Sequence, residues 1–262
     1  MRKLVALILL GVLAWPAPAS AEHHVASVNL CTDELLLLLA SPSQIASVSH
    51  LSQQPQETPF WRQARRYKSN DGTLLSVLQQ RPDVVLTMGG RGHDRQRIAK
   101  RLGIRTVELP YPQTIDDVIA SVRLVARTLD RPGAGEKVVA SMVALKRTAP
   151  SRRLDALYLT GGGLSVSANG LAADWMRLAG LQQRSLRGDR VTLEQLLVAP
   201  PSVLLRSNYR SRQYSREQQW LAHPLASRAK ARLTLQTDGR LWTCMGPSLV
   251  REIPRLRRML QS

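Results

Sequence analysis

One fourteen-residue pattern occurs twice in this chain and constrains its fold more than any other feature. TLLSVLQQRPDVVL begins at Thr73 and TLEQLLVAPPSVLL begins at Thr192, and the two copies agree at Thr, Leu, Leu, Pro, Val and Leu. Each copy is typical of a short capped helix followed by a proline and an apolar strand. Because the copies occupy corresponding places in the two halves of the chain, we expect two related α/β lobes.

Short apolar strands alternate with helices in both halves of the sequence. The first half opens with a strand at 25–30, a helix from Thr32 to Ala40 that Thr32 and Asp33 can cap, and a strand at 45–50. Further strands are predicted at 83–88, 106–109, 156–160, 202–206 and 233–236. Such alternation favours parallel pairing. The predicted fold class is therefore α/β, with two Rossmann-like lobes built on mainly parallel sheets.

A helical segment at 114–149 separates the two halves, and its apolar residues recur every three to four positions. Thr114, with acidic residues at 116 and 117, indicates a capped start. Pro132 and Gly133 interrupt the pattern, which then resumes. We expect a long bridging helix, interrupted or kinked at Pro132, that could reach roughly 50 Å if nearly straight. The expected domains are an N-terminal lobe at 22–113, this helix at 114–149 and a C-terminal lobe at 150–262.

The first residues predict export. A basic start at 1–3, an apolar run at 4–15 and the small residues at 19–21 form a signal peptide, 1–21, with cleavage after Ala21. The apolar run is shorter than the roughly twenty residues that cross a bilayer. No cysteine lies at the cleavage point, so a lipid anchor is disfavoured. We expect a mature chain that is free in the periplasm.

The chain is strongly basic, with 37 Lys and Arg against 19 Asp and Glu and a net charge of +18. An exported protein meets little nucleic acid, and no basic run here is interleaved with stacking aromatics, so a nucleic-acid partner is not expected. An anionic ligand or an anionic membrane surface fits better. A solvated basic surface without a specific partner is the alternative.

Cys31 and Cys244 are the two cysteines of the chain. An oxidising compartment allows them to pair, which would tie the start of the mature chain to its end. Unpaired, each would be a small buried hydrophobic residue. The sequence leaves both readings open.

Ligands of open parallel sheets bind beyond the carboxyl ends of the strands, so the loops there carry the candidate site. Glycines in these loops let backbone approach a ligand, arginines contact carboxylates, and aromatic rings offer flat apolar surface. Each side chain also has an ordinary structural role, as a solvated arginine or a core tryptophan. The candidate ligand-binding residues are Asn29, Cys31, Thr32, Trp61, Met88, Arg91, Tyr209, Arg210 and Trp242.

The sequence offers little support for an enzyme. Its five histidines form no H-E-x-x-H pair and no zinc spacing with cysteine, and no G-x-S-x-G segment occurs. The glycines at 161–163 lack the order of a dinucleotide or phosphate loop. No cofactor and no metal site are expected. A hydrolase using Ser165, His93 and Asp174 is the remaining enzymatic alternative.

The order and spacing of six segments resemble the periplasmic binding proteins of iron-siderophore, haem and cobalamin ABC importers. Together they span nearly all of the mature chain: VASVNLCTDELLLLLASPSQIASVS, TLLSVLQQRPDVVLTMGG, RIAKRLGIRTVEL, the bridging segment, VTLEQLLVAPPSVLL and WTCMGPSLVREIPRLRRML. The resemblance implies stiff lobes with modest closure, a ligand held between them, and delivery to a permease and its ATPase. We expect a monomer that carries a ferric siderophore, with haem and cobalamin as alternatives. An exported sensory or interaction module without transport is the alternative of another class.

The resemblance also implies a glutamate at the start of the repeated helix in each lobe, where it pairs with permease arginines. Glu194 matches this position in the second lobe, but Leu75 occupies it in the first, so either Asp71 substitutes or docking is asymmetric. Met88 and Leu51 stand where cobalamin-binding members have aromatics, which favours another chelate. Trp242 falls near a cleft tryptophan of those members and keeps cobalamin open.

Overall fold

Each half of the chain forms one parallel β-sheet in the computed structural model, which describes residues 23–89, 93–210, 215–227 and 231–261. The first sheet has the strand order β3-β2-β1-β4-β5, and the second has the order β7-β6-β8-β9. Every neighbouring pair of these strands is parallel. The predicted α/β class is confirmed. The strands are β1 (Val25–Ser27), β2 (Ile45–Ser49), β3 (Lys68–Asn70), β4 (Val84–Met88), β5 (Arg105–Leu109), β6 (Leu154–Leu159), β7 (Leu181–Gln183), β8 (Val203–Ser207) and β9 (Leu233–Thr237).

Helices connect these strands and cover both sheets, as crossovers between parallel strands require. None of the helices in the described ranges is long and apolar enough to cross a membrane. The signal segment 1–21 lies outside those ranges. The helices are α1 (Leu30–Leu39), α2 (Trp61–Ala64), α3 (Leu74–Val77), α4 (His93–Arg101), α5 (Ile115–Thr128), α6 (Pro132–Arg147), α7 (Leu171–Ala179), α8 (Leu193–Val198), α9 (Arg216–Ala222), α10 (Pro224–Ser227), α11 (Leu241–Cys244) and α12 (Leu249–Gln261).

The first helix begins two residues earlier than the sequence indicated. Asn29 has extended backbone angles, and its side-chain oxygen accepts a hydrogen bond from the Cys31 backbone N–H at 2.9 Å, so Asn29 is the N-cap. The expectation that Thr32 and Asp33 cap this helix is wrong. Both side chains are buried in its first turns, where the Thr32 hydroxyl lies 2.7 Å from the Ser27 hydroxyl.

The bridging segment is not one long helix. It folds back on itself as the pair α5 and α6, because Asp130 has a positive φ of 54° and Pro132 begins a new helix at its first position. Arg123 pairs with Glu136 at 2.7 Å and Lys146 with Asp116 at 2.6 Å, so the two helices run antiparallel. The bridge itself is α6, which packs on α5 and α12 and is about 24 Å long at 1.5 Å per residue.

A single hydrophobic core runs through both lobes and the helix pair. It includes Leu36 and Leu86 of the first lobe, Met142 of α6, and Trp175 and Ile253 of the second lobe, all of them buried. Two smaller clusters lie apart from this core, one in each lobe. Because apolar packing is continuous across the junction, separating the lobes would expose core surface to water.

Gly135 tests the close approach of α5 and α6. A Cβ atom there would lie 2.5 Å from the Ala126 Cβ, so the helices must move apart to accept alanine. We expect Gly135→Ala to lower the free energy of unfolding by about 1–3 kcal/mol, measured by urea denaturation. Gly133→Ala is the matched control in the same helix, where no atom lies within 4 Å of the added Cβ. Equal stability of the two variants would contradict the packing.

Candidate ligand cleft between the lobes

A cavity of about 370 Å³ lies between the two lobes. It is formed where strands of both sheets end, because the chain leaves each sheet there and can present loop side chains. The first lobe lines it with Cys31, Met88, Tyr111, Pro112 and Gln113. The second lobe contributes Val166, Ser167, Gly170, Leu171, Ala172, Thr243, Cys244 and Met245. The cleft therefore has an apolar and sulfur-rich wall on both sides.

A disulfide between Cys31 and Cys244 crosses this cleft. Cys31 lies in the first turn of α1, and Cys244 is the last residue of α11, so the bond joins the two lobes covalently. The pairing that the sequence left open is present in the structure. Cys31 is consequently part of the cleft wall as a disulfide sulfur and not as a free thiol.

Glu34 provides a second tie, one turn further along α1. Its carboxylate accepts a hydrogen bond of 2.9 Å from the Ser248 backbone N–H, at the start of α12 in the other lobe. The carboxyl group is buried, and burial raises its pKa. Gly246 faces this group, and a Cβ there would lie 2.6 Å from the Glu34 Oε1 atom. Glycine at 246 thus lets the acid reach across the junction.

Glu57 makes the third contact between the lobes. Its side chain is 7% exposed and accepts hydrogen bonds of 2.7 Å from the Tyr209 hydroxyl and 2.7 Å from the Arg210 guanidinium. The hydrogen bond with Glu57 raises the pKa of Arg210, and burial raises the pKa of Tyr209. Beside them, the Arg240 guanidinium donates to the Pro55 carbonyl at 2.8 Å.

Asp33 is fully buried beneath the first-lobe side of the cleft. It accepts hydrogen bonds from the Ser49 backbone N–H at 3.1 and 3.2 Å and from the Ser49 hydroxyl. Burial raises the pKa of Asp33 to about 7, and these hydrogen bonds oppose the shift. The acid fixes the end of β2 against α1.

The predicted ligand residues do not all lie at the cleft. Cys31 and Met88 line the cleft, and Tyr209 and Arg210 contact Glu57. Arg91 lies outside the described residues. Two further residues were not among the sequence candidates: Glu57, which lies in a polar loop, and Tyr111, which is 61% exposed after β5. The strand-end rule that selected Met88 applies equally to Tyr111.

The other predicted side chains have structural partners. Trp242 is buried, donates to the Thr237 hydroxyl at 2.8 Å, and its ring centroid lies 5.2 Å from that of Tyr158. Thr32 is buried beside Ser27.

Trp61 lies on α2, where the guanidinium carbons of Arg62 and Arg65 lie 4.8 and 4.7 Å from the centroid of its ring. Ser165, considered above for a hydrolase, donates its hydroxyl proton to the Tyr158 carbonyl at 2.6 Å, and Asp174 pairs with Arg177. The described residues contain no group of three or more His, Cys, Asp or Glu able to hold a metal ion.

A family model described as periplasmic binding protein matches residues 25–232 of the chain. The match agrees with the two parallel-sheet lobes, the bridging helix and the cleft at the strand ends. The chain belongs to the periplasmic binding protein family. The family consists of solute-binding proteins, and no curated protein sequence matches the chain.

Solved structures share the fold of this periplasmic binding protein. The haem-binding protein BhuT, solved with two haems, is 20% identical, has a TM-score of 0.65, and aligns over 90% of this chain and 96% of its own. RhuT from Roseiflexus sp. RS-1, also a haem-binding protein, is 17% identical with a TM-score of 0.66 over 91% and 99%. The vitamin B12-binding BtuF of Vibrio cholerae is 15% identical with a TM-score of 0.62 over 92% and 97%.

Removing the disulfide tests its contribution to this binding protein. It joins residues separated by 213 positions, so it restricts a very large loop of the unfolded chain. We expect Cys31→Ser with Cys244→Ser to lower the free energy of unfolding by about 2–5 kcal/mol in urea denaturation. A reductant should lower the stability of the wild type similarly and leave the double variant unchanged. Insensitivity of the wild type to reductant would refute the cross-link.

The stability of the binding protein should depend on the protonation of Asp33. The unfolded chain releases this proton near pH 4, whereas the folded protein holds it to about pH 7. The folded state therefore binds more protons between these values, and its stability falls as the pH rises through this window. Asp33→Asn should flatten the dependence in urea denaturation from pH 5 to 8, with Glu34 contributing the remaining slope. If the free energy of unfolding of the wild type and of the Asp33→Asn variant changes with pH in the same way, the pKa of Asp33 is not raised.

Proposed function

We propose that this periplasmic binding protein captures an anionic metal chelate, foremost a ferric siderophore, in the cleft and delivers it to an inner-membrane ABC permease and its ATPase. The cleft between the strand ends of both lobes is the observation that carries the proposal. Haem is the second candidate, since BhuT and RhuT bind haem, and cobalamin is the third, since BtuF binds vitamin B12. The protein acts as a monomer, exported by residues 1–21.

The cleft wall suits an organic ligand with a broad apolar face. Met88 and Tyr111 on one lobe oppose Val166 and Met245 on the other, and methionine side chains adapt their shape to irregular surfaces. A ligand between these side chains buries carbon surface on both sides. This lining supports a chelate with an organic scaffold over a bare metal ion.

Charge at the junction of the lobes supports an anionic ligand. Arg210 is 45% exposed although it pairs with Glu57, so an anion that enters between the lobes can reach its guanidinium from solvent. Carboxylates and phosphates bind arginine through paired hydrogen bonds. An anionic ligand would share Arg210 with Glu57 or displace it.

Ties between the lobes limit the movement that accompanies capture. Among the described residues, the Cys31–Cys244 disulfide, the Glu34 contact with Ser248, the Glu57 contacts and the Arg240 contact with Pro55 all cross the junction. Opening of the cleft would break the noncovalent ties and leave the disulfide as a pivot. We therefore propose capture with little closure.

Docking onto the permease would use exposed residues of the repeated helices. Glu194 is exposed in the first turn of α8, and Leu75 is 76% exposed at the matching place in α3. The docking surface is asymmetric, with an ion pair expected at the second lobe and an apolar contact at the first. Asp71, which caps the turn before α3 through Thr73, is held in place by its own hydrogen bonds.

A tryptophan titration tests the binding function. The mature protein is titrated with ferric siderophores, free iron, haem and cobalamin at physiological salt, and we expect saturable quenching by one chelate at submicromolar concentration. Ser167→Trp places a large ring at an exposed position of the cleft wall and should weaken that chelate by at least about ten-fold. Ser141→Trp, exposed on α6 outside the cleft, is the matched control. No response to any compound favours a sensory module without transport.

An uptake assay tests delivery. In the source organism, we expect Glu194→Ala to reduce accumulation of the radiolabelled chelate, because the contact with the permease is lost, while the affinity of the purified variant for the chelate stays unchanged. Glu136→Ala, which removes an exposed acid on α6, is the control and should transport normally. Normal uptake by the Glu194 variant would refute the docking role.

A further inference from the structure

A second cavity, of about 620 Å³, lies where both lobes meet the bridging helix α6. We call it the junction pocket. The first lobe lines it with Leu38 and Phe60, α6 with Lys137 and Val138, and the second lobe with Leu241 and Arg251. Within the described residues it shares no lining residue with the cleft, and its volume is typical of small-molecule sites.

The wall of the junction pocket is mainly hydrocarbon. Leu38, Phe60, Val138, Leu241 and Val250 line it and are only partly buried, so each leaves carbon surface open to the pocket. These side chains come from three separate parts of the fold. An apolar ligand group that fills the pocket would cover all of them at once and release the water that contacts them.

The charge of the pocket is positive after internal pairing. Its two acids are neutralised, because Asp238 pairs with Arg240 and Glu252 with Arg255, each at 2.6 Å. Lys137 and Arg251 are exposed at the rim, and neither side chain has a hydrogen-bond or ion-pair partner among the described residues. Two uncompensated cations therefore face an apolar wall.

We propose that the junction pocket binds a small amphipathic anion, a molecule with an apolar chain or ring and one carboxylate, sulfonate or phosphate group. The apolar part fills the space beside Phe60, and the anionic group contacts Lys137 and Arg251. Such a ligand touches both lobes and α6. The site is independent of the chelate that the cleft captures.

Fluorescence of 1-anilinonaphthalene-8-sulfonate tests the proposal on the mature protein. We expect saturable enhancement and displacement of the dye by decanoate, which has a carboxylate on an apolar chain. Lys137→Glu with Arg251→Glu should weaken binding of the dye by at least about ten-fold, because two positive charges that attract its sulfonate become negative charges that repel it. Ser141→Trp, which fills the pocket from an exposed position of α6, should weaken it similarly.

Two controls make the outcome decisive. Lys100→Glu with Arg101→Glu makes the same change of net charge at exposed positions of α4, away from the pocket, and should leave dye affinity unchanged. Ser167→Trp, which fills the cleft, should also leave it unchanged. Equal weakening by the α4 variant, loss of dye binding in Ser167→Trp alone, or failure of decanoate to displace the dye would each overturn the proposal. These results are separate from the chelate titration, so either site can fail without the other.

Discussion

The disulfide between Cys31 and Cys244 is the constraint on which the arrangement of the two lobes depends. It joins the first turn of α1 to the end of α11, and both sulfurs lie in the wall of the ligand cleft. The Glu34 carboxylate contacts α12 one turn away, and Gly246 leaves room for it. The covalent bond holds the start of α1 next to the end of α11, and the buried hydrogen bond beside it joins α1 to the start of α12.

Continuous apolar packing reinforces that arrangement. The core passes from the first sheet through α5 and α6 into the second lobe, so the lobes are not independent bodies on a flexible linker. Two buried acids in this region are costly to ionise in the folded protein, because burial raises the pKa of both Asp33 and Glu34. Both residues position other elements, because Asp33 accepts hydrogen bonds from Ser49 at the end of β2 and Glu34 accepts one from Ser248 at the start of α12.

The sequence predicted the two lobes because helix, proline and strand recur at Thr73 and Thr192, and parallel sheets followed from the alternation. It could not predict the reversal between α5 and α6, because apolar residues keep the same three-to-four spacing on both sides of Pro132. A single kinked helix and two helices joined by a tight turn give the same spacing of apolar residues. Strands β3 and β7 are short and polar, with no apolar alternation to reveal them.

The cavity lies at strand ends, where the sequence analysis placed the candidate residues, but only some of those residues line it. Cys31 and Met88 line the cleft, as the strand-end rule indicated. Trp242 is buried against Tyr158, because its sequence position does not decide whether a large aromatic ring fills the core or faces a cleft. Glu57 could not be foreseen, because its contact with Arg210 joins residues from two lobes that only the folded chain brings together.

Small-angle X-ray scattering of the oxidised mature protein, with and without the chelate that quenches its tryptophans, tests most directly whether the lobes are held at one separation. If the disulfide and the core hold the lobes together, the radius of gyration stays the same within about 0.5 Å on binding, against a value near 18 Å for a domain of this size. A radius several ångströms larger in the free protein, falling when the chelate binds, would show that the lobes open despite the disulfide and are not held at one separation.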